Sequence, residues 1–130
     1  MSKVVGIGAC VLDTLITLPN FPPEDTKLRA NTVSQSGGGP CATGLVAASK
    51  LGAKSCNAYD IDPVAVKVAY DNAISDGCEN ISVGVSDLLR GVDLSDGKYD
   101  FCVANIVADI IIRMLPDVRR CVKDGAPMIL

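Results

Sequence analysis

The chain has 130 residues, 48% of them apolar and 21% charged, with few aromatics and no Trp. That length suits one domain that buries about two thirds of the surface its unfolded chain exposes, around an aliphatic core. The net charge is −3 and the Lys and Arg residues are scattered rather than striped, so a nucleic-acid partner is not expected.

In chain order, "KVVGIGACV" is a short β-branched run of the composition of a buried strand, and "DTLITL" continues it in extended form. "PNFPPEDTKLRAN" carries three prolines and several charges, and reads as an exposed excursion. "TVSQS" can form a short strand leading into Gly37–Gly39, and Cys41 to Leu51 reads as a helix with Gly52 where a C-terminal cap belongs. "KSCNAYDID" is the next strand, ending in acids. Asp62 and Pro63 then supply an N-cap and a first-turn proline for a helix whose Ala65, Val68, Ala69 and Ala73 share one face and which stops at Asp76-Gly77.

"NISVGVSD" and the longer "KYDFCVANIV" are further strands, and a final helix places Ile111, Met114, Leu115, Val118 and Val122 on one face before "APMIL" closes as a strand. Strands alternating with helices predict a three-layer, Rossmann-like α/β domain with a mostly parallel sheet, spanning residues 1–130 as one unit. There is no repeat at a fixed period and no low-complexity segment.

Six cysteines stand at 10, 41, 56, 78, 102 and 121 without a CxxC pair, and there is no His. No metal site is expected, and the cysteines read as small core residues of a cytoplasmic protein. No signal peptide or membrane segment is expected either, because the most apolar window, "FCVANIVADIIIRML", carries Asp109 and Arg113.

In an α/β sheet a ligand sits beyond the carboxyl ends of the strands, where glycine-rich backbone can approach it. Gly37, Gly38 and Gly39 are candidates for that loop. Asp60, 21 positions after Gly39, is placed where an acid meets the hydroxyls of a ribose. Two readings share this spacing: a nucleoside-type site, or a tight glycine turn beside an acidic helix cap. Asp87 ends the following strand and could reach a base, and Asn105 ends the one after it and could orient a nucleophile.

From about Leu51 to Leu130, "LGAKSCNAYDIDPVAVKVAYDNAISDG", "ISVGVSDLL" and "GKYDFCVANIVADIIIRMLPDVRRCVKDGAPMIL" resemble the ribosomal-protein methyltransferase family PrmA, which uses S-adenosylmethionine. The resemblance implies that Asp60 is the ribose-binding acid, that Asp87 lies near the adenine, and that Asn105 is the catalytic-motif residue beside the methionine end.

Residues 4 to about 53 are similar instead to the N-terminal part of PfkB-family, ribokinase-like sugar kinases. "GACVLDTLITLPNFP" would place Asp13 against a sugar hydroxyl, and "GGGPCATGLVAASKLGA" would bring Gly38 and Gly39 to the substrate, with Thr43 where many members have Asn. The kinase-like part lacks that family's C-terminal anion-hole and base motif, so no kinase activity is expected.

The two resemblances meet at "KLGAK" and together imply a recombined chain, natural or engineered, with segments 1–53 and 54–130. Aligned backward from that run, Pro40 and Ala42 fall on glycines of the methyltransferase loop and Ser36 on the acid before it, which implies weak cofactor binding. The methyltransferase's N-terminal recruiting domain and the strands after Leu130 are also expected to be missing. Three functions stay open: a weakly S-adenosylmethionine-binding methyltransferase-like domain with little or no turnover, an inert folded hybrid, and residual sugar or nucleoside binding at Asp13. Either "TVSQS" or "KVVGIGA" is expected to fill the sheet centre. In the second case "PNFPPEDTKLRAN" becomes a flap or a hairpin through whose exposed edge a homodimer could form.

Overall fold

The computed structural model describes residues 2–130. The elements are β1 (Lys3–Gly8), β2 (Val11–Thr17), β3 (Thr32–Gly38), α1 (Pro40–Lys50), β4 (Ser55–Asp60), α2 (Pro63–Ser75), β5 (Ile81–Val85), β6 (Phe101–Asn105), α3 (Ala108–Cys121) and β7 (Met128–Ile129). Five strands form a parallel sheet in the order β5-β4-β1-β6-β7, while β2 and β3 pair only with each other, antiparallel.

The N-terminal "KVVGIGA" segment therefore takes the centre. Strand β1 lies between β4 and β6, with Val5 opposite both Asn57 and Cys102. The physical reason is its composition. Val4 faces one helical layer and Val5 and Ile7 the other, and all three are buried, which the polar alternation of "TVSQS" could not achieve.

On one side α1 and α2 pack Cys41, Leu45 and Ala73 against Val4, Cys56 and Ala58. On the other, α3 packs Met114, Val118 and Cys121 against Val5, Ile7, Cys102 and Ala104. These are the three layers. Helix α1 lies so close to the central strand that a side chain at Gly6 would come within 2.9 Å of the Cys41 sulfur. Leu45, 1% exposed, fills that contact, and full burial of such a side chain contributes about 2 kcal/mol.

Helix ends follow the sequence signals. Asp62 caps α2 by accepting from the Val64 N–H at 2.8 Å, with Pro63 in the first turn. Gly77, at φ 68°, follows its C-cap Asp76. Helix α3 differs in one detail from the expected face: Leu115 is 47% exposed, and Cys121 is buried in its place. Positions 111, 114, 118 and 121 keep the 3.6-residue period, whereas 115 lies one step round the helix. Val122 lies beyond the last turn as the extended C-cap and bridges Tyr99. The strand read as the longer "KYDFCVANIV" is only Phe101–Asn105.

The β2–β3 hairpin is inserted between β1 and α1. Its register runs from Val11↔Gly38 to Thr17↔Thr32. "PNFPPEDTKLRAN" forms its tip, closed where the Asn31 N–H donates to the Thr17 carbonyl at 2.8 Å. Five of the six cysteines are buried, Cys10 is partly so, and all are free thiols. Among the described residues no helix is long and apolar enough to cross a membrane.

Candidate functional site

The connections from β1 through α1 to β4, and from β4 through α2 to β5, run one way along the sheet; β6, α3 and β7 run the other. A crevice opens where the order reverses, beyond the carboxyl ends of the strands. There the structure has a cavity of about 390 Å³. Gly8 lines it from the end of β1 and Ala9 from just beyond, Asp60 from β4, Asp87 and Leu88 from the loop after β5, and Ile106, Ile110 and Arg113 from the β6–α3 segment.

Asp60 is the last residue of β4 and half-buried. Its Oδ1 accepts the Asp62 N–H at 2.9 Å, which shapes the turn into α2. No hydrogen bond to Oδ2 is formed among the described residues. One carboxylate thus serves both readings of the spacing, as a local turn acceptor and as an oxygen on the cavity wall.

Asp87 follows two residues after β5 and is exposed, with Arg90 Nη1 at 3.0 Å from its Oδ2. Its loop is tied to β4 by the Ser86 N–H, which donates to the Asp60 carbonyl at 2.9 Å. Leu88 and Leu89 sit at φ 50° and 64°, the left-handed region that bulky residues avoid. They are held there because Leu89 is fully buried and its carbonyl accepts from Arg120 Nη2 at 2.6 Å.

Asn105 ends β6 beside Gly8 in register but is exposed and does not line the cavity. Its carbonyl oxygen lies 2.6 Å from where a side chain at Gly8 would begin, so only glycine lets these two strand ends approach. Gly8, not a glycine of the hairpin, therefore stands at the cavity, where β1 ends beside β6.

Gly37 and Gly38 do not face Asp60. They line a second, smaller cleft of about 130 Å³ between the hairpin root, α1 and α2, together with Cys10, Thr43 and Asn72. A side chain at Gly37 would overlap the Asn72 amide, and one at Gly38 the Asp13 carboxylate. Gly39 is the N-cap of α1 at φ 98°, and a side chain there would overlap the Ala9 carbonyl. Asp13 lies on the exposed hairpin, outside both cavities. Of the candidate residues, the fold brings Asp60 and Asp87 together, sets Asn105 at the edge, and gathers Asp13, Gly37 and Gly38 elsewhere. It does so because β4 and β5 pair in parallel with Asp60 opposite Val85, while the hairpin carries Gly37 and Gly38 away.

Gly8, Leu88 and Arg113 are among the cavity residues that sequence reasoning missed. "GIGA" at the end of the first strand was a readable signal for Gly8; nothing in the local sequence marks Arg113. The thiols beside the site are poor nucleophiles. Burial, and then the charge of Asp60, raise Cys10, while burial foremost pushes Cys41 up to about 12. Among the described residues no group of three or more His, Cys, Asp or Glu side chains could hold a metal ion.

Residues 24–130 match the family described as ribosomal protein L11 methyltransferase (PrmA), a match that begins earlier than Leu51. A ribosomal protein L11 methyltransferase of Streptococcus pneumoniae (strain Hungary19A-6) is 48% identical over 86 residues, covering 65% of this chain and 26% of that protein. The chain thus spans about a quarter of the length of such relatives. The crystal structure of ribosomal protein L11 methylase from Lactobacillus delbrueckii subsp. bulgaricus superposes with a TM-score of 0.64 at 26% identity, over 98% of this chain and 49% of that one. A carbohydrate kinase from Agrobacterium tumefaciens superposes with a TM-score of 0.69 at 13% identity, over 98% of this chain and 52% of that one. At that identity the kinase likeness concerns the fold alone. With the match covering most of its length, the chain belongs to the ribosomal protein L11 methyltransferase (PrmA) family.

Proposed function

We propose that the chain forms the nucleoside-binding site of an S-adenosylmethionine-dependent methyltransferase domain, with weak affinity and little or no turnover on its own. The observation that carries this reading is the convergence of Asp60 and Asp87 on one cavity at the carboxyl ends of β4 and β5. The cavity fits a nucleoside: Asp60 Oδ2 makes no hydrogen bond among the described residues, and Ile106 and Ile110 offer an apolar wall. Asp60 would accept from the ribose hydroxyls, Asp87 would meet the base edge, and Asn105 would orient the incoming nucleophile. When bound, the cofactor supplies a methyl group already activated on a sulfonium, so the residues of the site need only align it and keep water out.

The test is isothermal titration with S-adenosylhomocysteine on the wild-type chain and on Asp60→Ala. Heat in the first that is lost in the second supports the site; no heat from a folded wild type sinks it and leaves an inert folded hybrid as the reading.

A second reading concerns the hairpin, as part of a kinase-like segment 1–53 that we take to be joined to a methyltransferase-like segment 54–130 within one domain of a recombined chain. Its support is the Asp13 carboxylate packed over Gly38, an arrangement that could hold a sugar or nucleoside hydroxyl without phosphorylation. Titration of ribose or adenosine against Asp13→Ala tests it, and an unchanged isotherm argues against it. Leu15 is 64% exposed and Phe21 93%, and the hairpin edges are unpaired, which favours a homodimer through this element. Sedimentation of the wild type against Leu15→Ser reads that out. The composition favours the cytoplasm.

A further inference from the structure

We infer that Arg113 is a specificity-determining residue of the strand-end cavity, pairing with a carboxylate on the far end of a nucleoside ligand. The inference rests on the nucleoside reading of that cavity and names the part of the ligand which that reading leaves without a partner. Among the described residues three charged side chains line the cavity. Two are acids, and one of these, Asp87, already has Arg90 at 3.0 Å. Arg113 is the sole cation of the three. Among the described residues no carboxylate lies within 4.0 Å of its guanidinium, and its hydrogen bond is from Nε to the carbonyl of Asp109, one turn back on its own helix, at 3.3 Å. Both terminal nitrogens are left free to form the two-pronged pairing that guanidinium makes with carboxylate.

The backbone supplies no substitute at the start of α1. A helix N-terminus ordinarily offers its free N–H groups to an anion, but α1 starts at Pro40, which has none, and no residue of its first turn lines the cavity. The layout of the sheet sets the distance. Asp60 ends β4 and Arg113 stands on the helix after β6, with β1 between those two strands, so the two walls are separated by two strand spacings, roughly 10 Å. A ligand that spans them carries hydroxyls at one end and an anion at the other. A nucleoside bearing an amino-acid tail has that form.

The experiment compares S-adenosylhomocysteine with 5′-methylthioadenosine, which keeps the nucleoside and sulfur but lacks the amino-acid tail. Titrations use the wild type, Arg113→Gln and Arg113→Lys, after equal melting temperatures show that all three fold. Expected is a wild-type preference for S-adenosylhomocysteine of about tenfold, the worth of a charge-assisted pair at a partly open site. Arg113→Gln should remove that preference and leave 5′-methylthioadenosine binding unchanged, and Arg113→Lys should restore part of it. Equal wild-type affinities for the two ligands, or a loss in Arg113→Gln that is the same for both, would overturn the inference while leaving the nucleoside site standing. If neither ligand binds the wild type, the nucleoside reading itself fails and the role of Arg113 falls with it.

Discussion

The central strand β1 and the hairpin β2–β3 are neighbours in sequence, separated by Ala9 and Cys10 alone, yet they meet opposite fates. Val4, Val5 and Ile7 of β1 are at most 6% exposed, whereas Val11, Leu12, Leu15 and Ile16 of β2 are all above 40%. The composition of the two runs is similar. What differs is what lies beside them: β1 has a parallel partner on each edge and a helix on each face, while β2 has one partner, β3, whose Ser and Gln residues need no burial. Strand propensity therefore says that a segment is extended, and only the count of available partners says whether it is core.

The widest separation between the two regions should come from alkaline pH. Burial is the leading cause that raises the Cys41 thiol, in one core layer, and the Cys102 thiol, in the other, from an ordinary 9.0 to about 12. A folded value above the unfolded one means the stabilisation is complete below pH 9 and is lost as pH climbs toward 12. The denaturation midpoint should be flat from pH 7 to 8.5 and fall steadily above about 9. By hydrogen exchange, β1 amides should lose protection over the same range, while hairpin amides exchange quickly throughout. A midpoint that does not fall would mean these thiols are solvated in the folded state.

Leu45→Ala should follow, at about 3 kcal/mol of lost stability by denaturant unfolding, because the side chain is fully buried against β1. Asp60→Ala should cost about 1 kcal/mol or less in stability, since one N–H acceptor is removed, while weakening S-adenosylhomocysteine about tenfold. The smallest change expected is Leu15→Ser on the hairpin, within about 0.5 kcal/mol in the monomer. A large destabilisation there, scaling with protein concentration, would show instead that the hairpin is buried in an assembly.

Much of this arrangement was legible in advance. Asp62-Pro63 and Asp76-Gly77 delimit α2 as read, because capping chemistry is local and needs no distant partner. The mostly parallel sheet, though not its strand order, followed from strand–helix alternation, and Asp60 and Asp87 were legible as strand-end acids. The glycine loop was not. Gly37 and Gly38 lie the expected distance before Asp60 in the chain, but the hairpin carries them to the α1–α2 side, and a span of residues does not reveal whether it crosses the sheet or loops out of it. Leu88 and Leu89 in left-handed backbone were equally hidden, since the Arg120 contact that holds the loop spans 31 residues.

By itself the sequence determined the boundaries of α2, the aliphatic character of both core clusters, the family and the strand-end acids, since each rests on short-range pattern or on a matched stretch of residues. The tertiary structure decided which strand is central, which glycine stands at the cavity and that Arg113 shares a wall with two acids. Those are matters of long-range pairing, where β1 displaces a polar competitor because it alone can bury both faces.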